Sequence, residues 1–171
     1  MIYEFCAENF TLIEKAMESG ARRIEHCDNL AVGGTTPSYG VTKAAVELAA
    51  NYETTIMTMI RPRGGDFVYT NQEVAIMLDD IRLTAQAGSQ GVVFGALTAD
   101  NKLDKFNLEK LIAASNGMEI VFHMAFDELS DQDQLEAIDW LSQAGVKRIL
   151  TRAGVSGDSL EKNVLVVIRD Y

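Results

Sequence analysis

Seven side chains combine reactive chemistry with placement: Cys6, Glu25, Cys27, Arg61, Arg63, His123 and Asp127 lie within or just after otherwise apolar runs. The densest stretch is residues 54–67, where Thr54-Thr55-Ile56-Met57-Thr58-Met59-Ile60 runs into Arg61-Pro62-Arg63-Gly64-Gly65-Asp66-Phe67. Strand alternation would set Met57, Met59, Arg61 and Arg63 on one face. Two guanidiniums leaving a strand end together suit a carboxylate or a phosphate. Gly64 and Gly65 would let backbone approach that guest, and Pro62 removes a ladder donor, so strand pairing should stop there. A structural salt bridge is the competing reading of such an arginine pair.

The same parity groups the other residues. Glu4, Cys6 and Glu8 share a face of the first apolar run, Glu25 and Cys27 of the second, and His123, Ala125 and Asp127 of the fifth. Charges on an inward face must pair or meet solvent, because an isolated buried charge costs several kcal/mol. The catalytic set is then Glu25, His123 and Asp127, with His123 as the proton carrier balanced by Glu25 or Asp127, and Arg61, Arg63, Gly64 and Gly65 holding a small anionic ligand. His26 has the opposite parity to Glu25 and should face helices as a structural residue. Cys6 and Cys27 fall on neighbouring strands, and two thiolates with a thioether from Met57 or Met59 suit Cu(I). Small buried hydrophobes are the competing reading of strand cysteines. Residues 33–38, Gly-Gly-Thr-Thr-Pro-Ser, could present amides and hydroxyls to the same anion, or be only a turn and a helix cap.

Strands are expected over 2–7, 23–27, 54–60, 91–97, 120–125 and 146–151. Helices are expected over 10–19 with Asn9 as cap, after Ser38 with Val41, Ala44, Ala45 and Leu48 inward, from 71 to about 88 with Val74, Met77, Ile81 and Ala85 inward, over 107–115, and over 130–144. Gly20, Gly88, Gly117 and Gly145 sit just before apolar strands, as helix stops do. A strand-helix repeat of roughly 30 residues is the size of a βα unit and implies a parallel sheet, doubly wound or closed into a barrel. There is no Gly-x-Gly-x-x-Gly after the first strand, so no nucleotide cofactor is expected, and the charged strand ends favour the barrel.

Length and composition, 171 residues of which 47% are hydrophobic, bound a single domain over 1–171 with a sizeable core. A net charge of −10, with the 15 Lys and Arg dispersed, argues against a nucleic-acid groove or an anionic lipid surface. No apolar run reaches the length of a membrane span, and the start lacks the order of a signal peptide, so a cytoplasmic protein is expected. Two cysteines in a reducing compartment make no disulfide framework, and no Cys-x-x-Cys or paired-His motif supports zinc.

Four stretches taken together, residues 23–41 (Arg-Ile-Glu-His-Cys-Asp-Asn-Leu-Ala-Val-Gly-Gly-Thr-Thr-Pro-Ser-Tyr-Gly-Val), 59–67, 92–98 (Val-Val-Phe-Gly-Ala-Leu-Thr) and 122–127 (Phe-His-Met-Ala-Phe-Asp), resemble the copper homeostasis CutC family over residues 2–151. The resemblance implies a cytoplasmic (β/α) barrel associated with copper tolerance. It places a charged pocket on Glu25, Arg61, Arg63, His123 and Asp127, and copper ligands on Cys6 and Cys27. His26 departs from the apolar residue usual there, and Thr151-Arg152 from a small pair. A TIM-type barrel closes with eight βα units, whereas about six are legible before residues 155–171, so the fold expected is a TIM-type (β/α) barrel, C-terminally truncated. Residues 155–171 should then fold over the gap, with 164–168 helical or paired beside the first strand, or a second copy should cover it as a homo-oligomer. Two functions follow: a cytoplasmic copper homeostasis protein binding Cu(I), or an enzyme acting on a small carboxylated or phosphorylated metabolite by acid/base chemistry.

Overall fold

The computed structural model describes residues 2–151; the expectations for residues 155–171, the 164–168 run included, lie outside the described residues. Six strands, β1 (Glu4–Glu8), β2 (Arg23–Cys27), β3 (Thr55–Met59), β4 (Gly91–Phe94), β5 (Glu119–Phe122) and β6 (Arg148–Ile149), form one sheet in the order of the sequence. All five pairings are parallel. Helices α1 (Ile13–Glu18), α2 (Tyr39–Ala49), α3 (Asn71–Ala87), α4 (Lys105–Ala114) and α5 (Asp131–Gln143) alternate with them. A doubly wound sheet reverses its strand order at a switch point. The order here runs without reversal from β1 to β6, which is the winding of a (β/α) barrel.

Alternate residues of each strand serve two layers. Ala7, Ile24 and Ile56 pack outward under Ile13 and Met17 of α1 and Ala45 and Ala49 of α2. Val92, Phe94, Ile120, Phe122 and Ile149 pack under α3, α4 and α5 through Val74, Met77, Ile81, Leu108, Leu111, Ala137 and Leu141. Each of the Val, Leu, Ile, Phe and Met side chains among them contributes about 1.5–3 kcal/mol by leaving water. The inner face is smaller and mixed: Cys27, Met57, Met59, Val93 and Val121 cluster there.

The helices start where short polar side chains satisfy their first amides. Ser38, Asp104 and Ser130 accept from Val41, Asn107 and Asp133 N–H, and Thr70 forms a reciprocal capping box with Glu73. Gly88 ends α3 at φ +88°, a conformation that side-chain-bearing residues avoid.

Several local expectations are corrected. Asn9 does not cap α1; it sits at φ +52° and its amide donates to Asp28 Oδ1 at 2.7 Å, so α1 begins only at Ile13. On α2 the fully buried residues are Thr42, Ala45 and Ala49, while Leu48 packs half-buried against the same core and Val41 and Ala44 are also only half-buried. On α3 Thr84 turns inward while Ala85 is exposed. β5 ends at Phe122 because the chain turns into a 3-10 segment, Met124–Glu128, so His123, Ala125 and Asp127 do not share a strand face.

Gly91 shows what the inner layer demands. It lies in register with Met57 on β3 and Glu119 on β5. A Cβ at this position would sit 2.0 Å from Met57 Cε and 2.6 Å from the Glu119 carbonyl oxygen. Gly91→Ala should therefore destabilise the protein by about 1–3 kcal/mol, read from the urea midpoint. Adding Met57→Ala should restore part of the loss but not all, because the carbonyl contact remains; an unshifted midpoint in Gly91→Ala would refute the close approach.

Candidate functional site

The parallel register sets Cys6 opposite Glu25 and Glu8 opposite Cys27, so both thiols and one carboxylate meet on the inner face. Cys6 Sγ donates to Glu25 Oε1 at 3.6 Å and Cys27 Sγ to the same oxygen at 3.8 Å. The three donor atoms lie within 4.8 Å of one another. Both cysteines are free thiols, Cys6 exposed and Cys27 buried. The cluster is thus open on one side and closed on the other, with the side chains of Met57 and Met59 packed around Cys27. Burial, reinforced by the nearby Glu4 charge, pushes the Glu25 carboxyl up to about 7, against the smaller opposing pull of the two thiols. Its interaction with Cys6, then burial and the Glu25 charge, raise the Cys27 thiol as well. Two sulfurs and one carboxylate oxygen form a donor set that fits a soft, low-coordinate ion.

Arg61 and Arg63 do not project together. β3 ends at Met59 and the chain leaves the sheet, so two-residue alternation no longer governs them. Arg61 is buried in a cage of carbonyls: Nη1 donates to Val32 O at 2.8 Å and Gly34 O at 3.0 Å, and Nη2 to Gly65 O at 2.7 Å. Its guanidinium also lies over the Phe67 ring, 4.9 Å from the centroid. Arg63 turns the other way, pairing with Glu73 at 2.5 Å and Asp66 at 2.9 Å. Through Glu73 it is tied to the cap of α3, so it fastens the β3–α3 loop. Gly64 is there because a Cβ would sit 2.8 Å from Val32 Cβ, while Gly65 supplies a carbonyl to Arg61.

The 33–38 loop offers Arg61 a carbonyl rather than offering an anion its amides. The amides of Gly33, Gly34, Thr35 and Thr36 are taken by Leu30, Asn29, Asp28 and Arg61 carbonyls. Thr36 Oγ1 in turn accepts from the Arg61 amide at 2.9 Å.

His123 is buried with neither expected carboxylate as a hydrogen-bond partner among the described residues. Its Nδ1 accepts from the Ala125 amide at 3.2 Å, which leaves the proton on Nε2. Burial, then the Arg61 charge, push its pKa down to about 3, so the ring is neutral at physiological pH. The ring packs on Phe67 at 4.8 Å, so Phe67 contacts both Arg61 and His123. Asp127 is buried in the 3-10 segment and accepts from the Thr151 hydroxyl. His26 faces the helices as its parity requires: Ala7, on the outer layer, is its register partner, and Nε2 meets Asn9 O at 2.9 Å.

The single charged pocket expected from sequence is therefore two places and a fastener: the Cys6–Glu25–Cys27 cluster, the Arg61–Phe67–His123 group, and Arg63. Sequence reasoning treated Glu25 as an acid and missed it as the third donor, although the register of Cys6 opposite Glu25 follows from the strand assignments. Phe67 and Tyr69 were missed because, beyond a strand end, no periodicity marks which aromatic turns inward.

An arc of parallel βα units with reactive groups on its inner face and at its strand ends defines a TIM-barrel-like protein with a thiol-and-carboxylate centre. The model of the CutC family matches residues 1–168, and the chain belongs to that family. It is 52% identical over 163 residues to a CutC family protein of Enterococcus faecalis, covering 95% of this chain and 78% of that one. A solved CutC structure from Streptococcus agalactiae, whose name assigns it to copper homeostasis, matches with TM-score 0.91 and 43% identity over 95% of this chain and 78% of that chain. An aldolase, QR15, matches with TM-score 0.64 at 13% identity over 94% and 71% of the two chains, which speaks to the barrel fold alone.

Glu25 generates a pH prediction. With its folded pKa raised to about 7, well above the ordinary carboxylate range, the folded state binds the proton more tightly than the unfolded one. Stability of the metal-free protein should then be highest below the unfolded pKa and fall as pH rises toward 7, by about 3 kcal/mol from this group. Glu25→Gln should flatten that part of the profile, measured by urea unfolding from pH 4.5 to 8; an identical slope in the variant would show that Glu25 does not carry it.

Proposed function

We propose that this protein binds Cu(I) on its inner face through the Cys6 and Cys27 thiolates with Glu25 as third donor, and serves copper homeostasis in the cytoplasm. The observation that carries this is the convergence of the three donor atoms within 4.8 Å. Thiolates select soft ions, and the exposed Cys6 gives an arriving ion a first contact before the buried Cys27 completes the site. Displacing two thiol protons creates two negative charges beside Glu25 and a monovalent cation offsets one of them, so a Glu25 that keeps its proton avoids adding a third while its carbonyl oxygen remains a donor. Membership in the CutC family and the copper homeostasis name of the streptococcal relative support the reading. Free thiols suit a reducing compartment, and among the described residues no helix is long and apolar enough to cross a membrane. Self-association belongs to the same proposal: Ile2, Tyr3 and Phe5 are exposed at the β1 edge, an apolar strip that a second copy would cover.

Competition against a chromophoric Cu(I) chelator under reducing conditions tests the site. The wild type should take up one equivalent, Glu25→Gln should weaken binding by about 10- to 100-fold, and the Cys6→Ser, Cys27→Ser double variant should lose it. Unchanged affinity in the double variant would overturn the assignment.

A further inference from the structure

The Arg61 group is left unexplained by a copper site. Arg61 is 3% exposed and carries a full positive charge, yet among the described residues it forms no ion pair. Three carbonyls solvate its Nη groups but do not neutralise it, and its buried Nε has no partner. Two more buried polar atoms without partners lie near: His123 Nε2, which bears the ring proton, and the Tyr69 hydroxyl, which sits beside the Arg61 guanidinium. Burial holds the Tyr69 hydroxyl protonated, its pKa pushed up to about 12. Arg61 Nε and His123 Nε2 are donors without acceptors, and the Tyr69 hydroxyl, whose oxygen faces the guanidinium, keeps its own proton to donate. A cleft of about 520 Å³, lined in part by Val32, Arg61, Gly65, Phe67, Met124 and Glu128, opens on the guanidinium. Buried donors without acceptors and a buried cation without a counter-charge are tolerated where a ligand supplies both.

We infer that the Arg61 cleft is a binding site for a small monocarboxylate, whose carboxylate neutralises Arg61 and takes hydrogen bonds from Arg61 Nε and from the Tyr69 hydroxyl beside it. A single charge is what the site can neutralise: Arg63 is spent on Glu73 and Asp66, and His123 is neutral with Nδ1 already an acceptor. Glu128 at the cleft would repel a second negative charge, and Val32, Phe67 and Met124 offer an apolar wall to the body of the ligand. The volume is that of a small-metabolite pocket. The site stands apart from the copper reading, since none of its donors belongs to the Cys6–Glu25–Cys27 cluster.

The test uses the full chain with no copper added, so that it does not depend on that cluster. Benzoate, acetate and inorganic phosphate are titrated in turn while the Arg61 Nε–H resonance is followed by 15N–1H correlation NMR, assigned through its loss in Arg61→Lys. Benzoate should move that resonance saturably and raise the thermal midpoint by several degrees at about a hundredfold excess over its Kd. Acetate should act more weakly, and phosphate should do neither. Tyr69→Phe, which removes one hydroxyl and keeps the ring, should fold with a midpoint near wild type and weaken benzoate about three- to tenfold. A response to phosphate in place of benzoate would overturn the monocarboxylate assignment. An Nε–H resonance indifferent to all three anions would overturn the site, whether or not the Arg61 variant folds.

Discussion

The buried guanidinium of Arg61 is the constraint on which the upper face of the barrel depends. Its Nη groups bind carbonyls from both the β2–α2 loop (Val32, Gly34) and the β3–α3 loop (Gly65). Its own backbone exchanges hydrogen bonds with Thr36. Hydrogen bonds to a charged donor are worth about 1.5–3 kcal/mol each, against roughly 1 for neutral pairs, so this one side chain holds two loops that share no long run of secondary structure. Phe67 beneath it and Val32 against Gly64 then follow as packing consequences.

The inner face extends the same problem down the sheet. A parallel sheet covered by helices on one side asks for apolar residues there, and the outer face complies. The inner face instead carries Glu4 paired with Arg23 at 3.5 Å and Glu119 paired with Arg148, with the Cys6–Glu25–Cys27 cluster between strands β1 and β2. Every one of these charges has a partner on a neighbouring strand, except that Glu25 is offered only thiols. That exception is why burial dominates its titration and why its neighbourhood is the place on this face where a cation adds most.

Much of this was legible from sequence, for identifiable reasons. The helix-glycine-strand rhythm pointed to about six βα units because hydrophobic period and helix stops are local signals, and Gly20, Gly88, Gly117 and Gly145 do adopt positive φ. Two-residue parity placed Cys6, Glu25 and Cys27 on one face because all three lie inside strands. The same parity misplaced Arg63 and Asp127, which lie past the ends of β3 and β5, where the chain turns and the period has no meaning. Asn9 resembled a cap by type, but its amide had a stronger partner in Asp28, nineteen residues away. Long-range competition of that kind leaves no trace in a local pattern.

Gly34 is where the two sites touch. Its carbonyl is one of the three that hold Arg61, while its Cα faces the cluster, so that a Cβ would stand 3.1 Å from Cys27 Sγ and 3.5 Å from Met59 Cε. Its φ of +88° would strain any side chain in addition. No other residue type meets both demands, because the backbone must bend away from the thiol to present its oxygen to the guanidinium. The 33–36 segment is therefore wall to the thiol cluster and floor to the arginine, and its shape is fixed by hydrogen bonds on one side and by the volume of a sulfur atom on the other.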